Sequence, residues 1–371
     1  MTTALAAAIS AETRLPLVPY HGALTPHSFT TGVSFEPMLS QLDAPQAEIA
    51  ALLEDAAIHD LGWRRRIDLR GEDCSRWLSG MVTNAVEPLV TGSGAYNLVL
   101  NAQGRIQGDA LVWRVGERFE LEVDSAQYEP LLAHLDHFII MDDVELAPLS
   151  GWTALGLTGP NALAILASVG LPSPEIDLTF TNAQLDGHTI RVNRGYSPVV
   201  PRFTLWVEEP NVRVLWDRLI SVGIAPVGSS ALETLRILEG TPAYGQDVQS
   251  RDLAQETSLA RALSFTKGCY LGQEIVERVR SRGQVHRHLR QLELFPSADA
   301  LPAPGTEFQL DGKPAGTLTS AAGVQLHGLR RIFAIGMIRA EAELSERSGA
   351  PLDYPGGQAR LLPGPPKLTG A

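Results

Sequence analysis

The order of elements between residues 63 and 222 constrains this chain most. Strand-forming runs near 63–69, 95–101, 108–114 and 119–123 lead into a helical pattern at 128–138. A second round follows, with a strand near 152–157, a helix at 160–169, strands at 189–193 and 203–207 and a helix at 212–222. Strand pairs alternating with single helices are the rhythm of ferredoxin-like α+β units, met twice here with no repeat of the residues themselves. Ile49, Leu52, Leu53 and Ala56 at helical spacing predict a helix over 45–58, and a short one is expected at 73–81. From residue 289 the texture becomes all-β, with short strands at 292–295, 307–310, 313–320 and 331–338 between Pro and Gly turns. Residues 1–43 lack periodicity and read as an extension or loosely packed arm; residues 351–371, rich in Pro and Gly, read as a loose tail.

At 371 residues the chain has room for two or three domains, and its 44% apolar and 19% charged content is that of an ordinary globular protein. The net charge of −12 argues against nonspecific binding to nucleic acid or to an anionic membrane. No apolar run is long enough to span a bilayer. The opening residues lack a basic n-region, so no signal peptide is expected and the expected location is cytoplasmic. Two cysteines, Cys74 and Cys269, make no disulfide framework and fit a reducing compartment.

The two thiols sit in different company. Cys74 has no lysine, histidine or glycine around it and reads as core. Cys269 lies in Thr266-Lys267-Gly268-Cys269-Tyr270-Leu271-Gly272-Gln273-Glu274, between two glycines and ahead of a helix that opens at Gln273. Positive potential from that helix terminus and from Lys267 favours thiolate over thiol; the alternative is a small side chain in a tight turn. Asp109 is a carboxylate inside an otherwise apolar strand, which must be paired, turned outward or held for use. Arg64-Arg65-Arg66 reads most simply as a solvated face. Arg278, Arg280, Arg282, Arg287 and Arg290 with His286 and His288 form a run without acids. It suits a polyglutamate tail, a phosphate or an acidic partner, or is a solvated stretch neutralised by distant acids. With no second cysteine near these histidines, no metal site is expected.

Lys267-Gly268-Cys269-Tyr270-x-Gly272-Gln273-Glu274 resembles the signature of the YgfZ-type folate-binding proteins, relatives of the glycine-cleavage aminomethyltransferase (T-protein). Two further blocks agree. Asn101-x-x-Gly104-Arg105-Ile106-x-Gly108-Asp109 is similar to the superfamily's Asn-x-x-Gly-Gly-Ile-x-Asp-Asp hairpin, with Arg105 and Gly108 as departures. Arg236-x-x-x-Gly240-x-Pro242-x-Tyr244-Gly245-x-Asp247 is similar to the block that lines the folate pocket. Arg194-Gly195-Tyr196-Ser197 stands where the aminomethyltransferase has Gly-Tyr-Thr-Gly-Glu, with Pro198 and Val199 replacing the Gly-Glu that grips the pterin ring. Tyr196 either stacks on a ligand or is a half-buried strand tyrosine.

The resemblance implies an α+β cloverleaf: two interleaved ferredoxin-like units over residues 44–287, then a C-terminal antiparallel β-barrel over 288–350. It implies tetrahydrofolate or a one-carbon-substituted folate in the central opening, contacted by Tyr96, Asn101, Asp109 and Trp113 from one half and by Tyr196, Arg236 and Tyr244 from the other. It implies an accessory role in assembly or repair of iron–sulfur enzymes, reached through transient client partners and touching tRNA modification only indirectly. Cys269, assisted by Lys267, would then serve as nucleophile, redox thiol or transient cluster ligand. The alternative it implies is an aminomethyltransferase with Asp109 as the catalytic carboxylate.

Overall fold

In a computed structural model the described residues are 1–13, 15–29, 46–283, 285–297, 300–326, 328–346 and 351–366. Two antiparallel-rich sheets and a closed barrel make three lobes, the α+β cloverleaf expected. The first sheet runs Thr179–Leu185, His188–Gly195, Arg202–Glu208, Trp152–Thr158, Ala57–Asp60, Ala225–Pro226. The second runs Gly94–Leu100, Ile106–Val115, Arg118–Asp124, Arg64–Arg70, Glu145–Pro148. The lobes interleave because Ala57–Asp60 joins the first sheet before the chain builds the second. Six antiparallel strands from Arg287–Pro296 to Gly357–Leu361 close the barrel, the last pairing with the first.

Four local expectations change. The helix expected over 45–58 is Gln46–Glu54, and Ala57–Asp60 is a strand paired with Trp152–Thr158. A four-residue buried run shows no period that separates helix from strand. Strand Thr179–Leu185 fills a stretch where no element was expected; it is a polar sheet edge, nowhere fully buried. The triple arginine is not a solvated face. Alternation along the strand turns Arg64 and Arg66 inward; Arg66 is buried, donates to Glu120 at 3.0 Å and lies 4.2 Å from the Trp206 ring centroid.

The fourth concerns both ends. Helix Ala4–Thr13 and hairpin Leu17–Pro26 are held on the body by two buried carboxylates. Asp60 accepts from the Thr3 hydroxyl, from Thr25 Oγ1 at 3.0 Å and from the Gly62 N–H at 2.8 Å. Glu48 accepts from Ser28 Oγ at 2.6 Å and from the N–H groups of Phe29 and Gly228 at 2.7 and 2.8 Å. Side-chain anchors from distant sequence leave no periodic signal, so residues 1–29 read as loose. The expected boundary at 43–44 lies outside the described residues. At the other end Leu352–Tyr354 and Gly357–Leu361 complete the barrel, joined by a tight turn at Gly356 with φ of 108°. Gly356 and Gly357 make a hairpin turn there, not slack chain.

Candidate functional site

A cavity of about 180 Å³ opens where the two sheets meet hairpin Leu17–Pro26 and the segment after helix Ser229–Glu239. Asp109 stands on its wall, in strand Ile106–Val115, and both carboxylate oxygens are fixed. The Tyr96 hydroxyl, from the neighbouring strand, donates to Oδ2 at 2.5 Å. Gln127 Nε2, from helix Ser125–Asp136, donates to Oδ1 at 2.8 Å, and Gln127 Oε1 accepts the Asp109 N–H at 2.9 Å. The preceding Gly108 makes this possible, since a Cβ there would meet Gln127 Oε1 at 2.8 Å. The hairpin's departure at 108 thus has a steric reason.

Burial, and then the negative charge of Asp124, push the Asp109 carboxyl above its ordinary range, against the two donors. Asp124 moves the other way. Burial raises it, but His21, whose Nδ1 lies 2.8 Å from Oδ2, and Arg64 outweigh that and leave it below the usual carboxylate range. Two nearby carboxyls are therefore held apart in proton affinity, the arrangement that separates a proton-handling acid from a permanent anion. On the first sheet's side of the cavity, His59 donates to or accepts from Thr158 Oγ1 at 3.0 Å. Burial, with Arg202 adding to it, pushes its pKa down to about 3, so it is a neutral ring at physiological pH. Gly156 opposite leaves it room, because a Cβ there would sit 1.8 Å from the ring.

Of the residues expected at a ligand, Tyr96, Asp109, Tyr196, Arg236 and Tyr244 line this cavity. Asn101 and Trp113 do not. Asn101 Oδ1 accepts the N–H groups of Gln103 and Arg105, both at 3.0 Å, and shapes the hairpin turn. Trp113 is 1% exposed further along the Asp109 face and donates to Glu122 at 3.0 Å. Arg236 has no donor to offer. Its five N–H bonds go to Glu233 twice, to Asp247, to the Thr241 carbonyl and to Ser320. It braces the cavity wall against barrel strand Lys313–Leu326. Sequence reasoning missed Tyr20, His21, His59, Arg64, Asp124, Arg202 and Arg261, all lining. Only Arg64, within the arginine run, carried a signal.

The Cys269 loop stands apart from the cavity. Cys269 is exposed and is not among the lining residues. Lys267 is spent on structure: its Nζ donates to the carbonyls of Ser79 and Val82 at 2.6 Å and of Asn84 at 3.0 Å, closing the end of helix Cys74–Met81. Burial lowers its pKa to about 8, while three carbonyls solvate the ammonium in place of water. Tyr270 is buried, Gln273 and Glu274 open helix Gln273–Arg282, and Gly272 caps it. Gly268 stands in open space. In the basic run, Arg287 pairs with Asp252 and Glu256, and His288 and Arg290 pair with Glu343. Distant acids neutralise that part of it.

The sequence profile described as the GCVT N-terminal domain matches residues 17–267, more than half the chain. The chain belongs to the GCVT family. It is 28% identical to an aminomethyltransferase of Rubrobacter xylanophilus over 80% of each chain. It is 27% identical to a chloroplastic protein of Arabidopsis thaliana, provisionally named a transferase, over 78% of this chain and 67% of that one. The crystal structure of the glycine cleavage system aminomethyltransferase T from Bartonella henselae superposes with a TM-score of 0.82 over 97% of this chain and 96% of that one, at 19% identity. At that identity the likeness is one of fold. No described helix of this GCVT-family chain is long and apolar enough to cross a membrane.

Proposed function

We propose that the protein binds a tetrahydrofolate, ring head first, in the central cavity and handles a one-carbon unit there with Asp109. The observation that carries this reading is Asp109 itself, a half-buried carboxyl on a cavity wall with raised proton affinity and both oxygens held. Such a group takes the proton from a folate nitrogen as that nitrogen bonds to carbon. A cavity of about 180 Å³ is below the 300–1,000 Å³ range of pockets that engulf a whole ligand, so it suits a bicyclic head with the rest of the molecule leaving past Tyr196. The aminomethyltransferase relatives support the same substrate class. Equilibrium titration with tetrahydrofolate tests it. One saturable site is expected, weakened roughly tenfold or more by Asp109→Ala, as loss of a hydrogen bond to a charged group implies, and unchanged by Cys269→Ser. Absence of saturable binding overturns the reading.

A second reading is favoured by Cys269, an exposed thiol in a run similar to the YgfZ-type signature. Here the folate-binding chain serves assembly or repair of iron–sulfur enzymes, with the thiol meeting a client at a surface separate from the cavity. A single thiolate cannot complete a cluster site, so any cluster would be shared and transient. In cells lacking the protein, wild type should restore iron–sulfur enzyme activity and Cys269→Ala, at equal abundance, should not. Equal restoration by both removes the thiol from this role.

A further inference from the structure

Four arginines line the cavity, and three are occupied. Arg64 lies 3.5 Å from Glu122 and from Asp124, Arg202 donates to Glu239 at 2.6 Å, and Arg236 has every donor bonded. Arg261 differs. Among the described residues no carboxylate lies within ion-pair distance of its guanidinium, which rests instead on two rings, 4.7 Å from the Tyr196 centroid and 5.1 Å from that of Tyr96. Its backbone is fixed by short helix Ala260–Ala262 and by Asn84 Nδ2, which donates to the Arg261 carbonyl at 2.9 Å. Rings hold the faces of a guanidinium and leave its edge, where the N–H groups are, unspent.

Position adds direction to this. Tyr96 carries Arg261 on its ring while its hydroxyl binds Asp109, and Tyr196, the other ring, is 42% exposed. The cavity therefore runs from an acidic wall to an open rim, and the rim holds the one lining arginine whose donors are uncommitted among the described residues. A planar fork with free donors binds a carboxylate through two parallel hydrogen bonds.

We propose that Arg261 is the anion-recognising residue of the cavity, taking a carboxylate on the tail of a ligand whose ring head lies beside Asp109. This rests on the folate reading for the identity of the head and adds the group that selects the tail. The test uses the full chain and two probes, tetrahydrofolate and its dimethyl ester, in which both tail carboxyls are capped. Wild type should lose roughly tenfold or more in affinity on capping, and Arg261→Gln, with unchanged Tm, should bind the two probes alike. Arg261→Lys should recover only part of the discrimination, since an ammonium lacks the fork. If Arg261→Gln still prefers the free acid as strongly as wild type does, the assignment of Arg261 is wrong while the folate site stands. If wild type binds neither probe, the folate reading fails and takes this one with it.

Discussion

Replacing Gly272 by alanine will destabilise the fold by about 2–5 kcal/mol, while the same change at Gly268, four residues away, will stay within about 0.5 kcal/mol. Both glycines flank Cys269, and only one is required. Gly272 has φ of 81°, and a Cβ on it would meet the Asn101 carbonyl oxygen at 2.5 Å and Gly104 Cα at 3.0 Å. Left-handed backbone costs a residue with a side chain roughly 1–2 kcal/mol, and the clash with main chain that cannot step aside adds about 1–3 kcal/mol. Gly104 meets the motif from the other side, since its own Cβ would strike Ile275 at 2.7 Å. Two glycines thus let hairpin turn and helix Gln273–Arg282 interlock. At Gly268 φ is not positive and no atom lies within 4 Å of the site of a Cβ. Thermal unfolding of the two variants decides it. Equal Tm values for Gly272→Ala and wild type would show that the interlock carries no stability.

This changes what the Lys267–Glu274 run means. Lys267 binds three carbonyls, Gly272 seats a helix, and Tyr270 fills core, so most of the run builds a clasp between the end of helix Cys74–Met81 and the hairpin carrying Asp109. Cys269 is exposed, as are Gly268 and Glu274. A recurring run of residues need not be a set of reacting groups; here the chemistry it bears on most directly is the placement of its neighbours.

The fold was legible where burial is one-sided and elements are long. Strand Ile106–Val115 alternates in burial along most of its length, and helix Val212–Ile220 buries Val212, Leu215, Trp216 and Leu219 on one face. It was illegible where order comes from side chains far apart in sequence, as at Asp60 with Thr3 and Thr25. The site divides the same way. Asp109 stood out because a charge in an apolar strand demands an explanation. Arg236 stood out too and does line the cavity, but Asp247 and Ser320, which take its donors, reach it only in the folded chain. Arg261 gave no signal. It lies in an irregular stretch, and its value comes from two tyrosines that tertiary structure brings to its faces.

The central claim is that Asp109 handles a proton as a one-carbon unit reaches folate nitrogen. General acid–base groups contribute roughly 10²–10⁴ in rate, so Asp109→Asn, which keeps the shape of the carboxyl and its bond from Tyr96, should retain folate and lose at least 10² in transfer. A Cys269→Ser variant should transfer at the wild-type rate, because the thiol stands off the cavity. The most direct measurement is single-turnover transfer from an aminomethyl-loaded lipoyl carrier protein to tetrahydrofolate, followed by release of ammonia and the free carrier thiol. Transfer by wild type and by Cys269→Ser, with at least a hundredfold loss in Asp109→Asn, is the result predicted. A wild-type protein that binds tetrahydrofolate yet releases neither product, or an Asp109→Asn variant as fast as wild type, would contradict the claim.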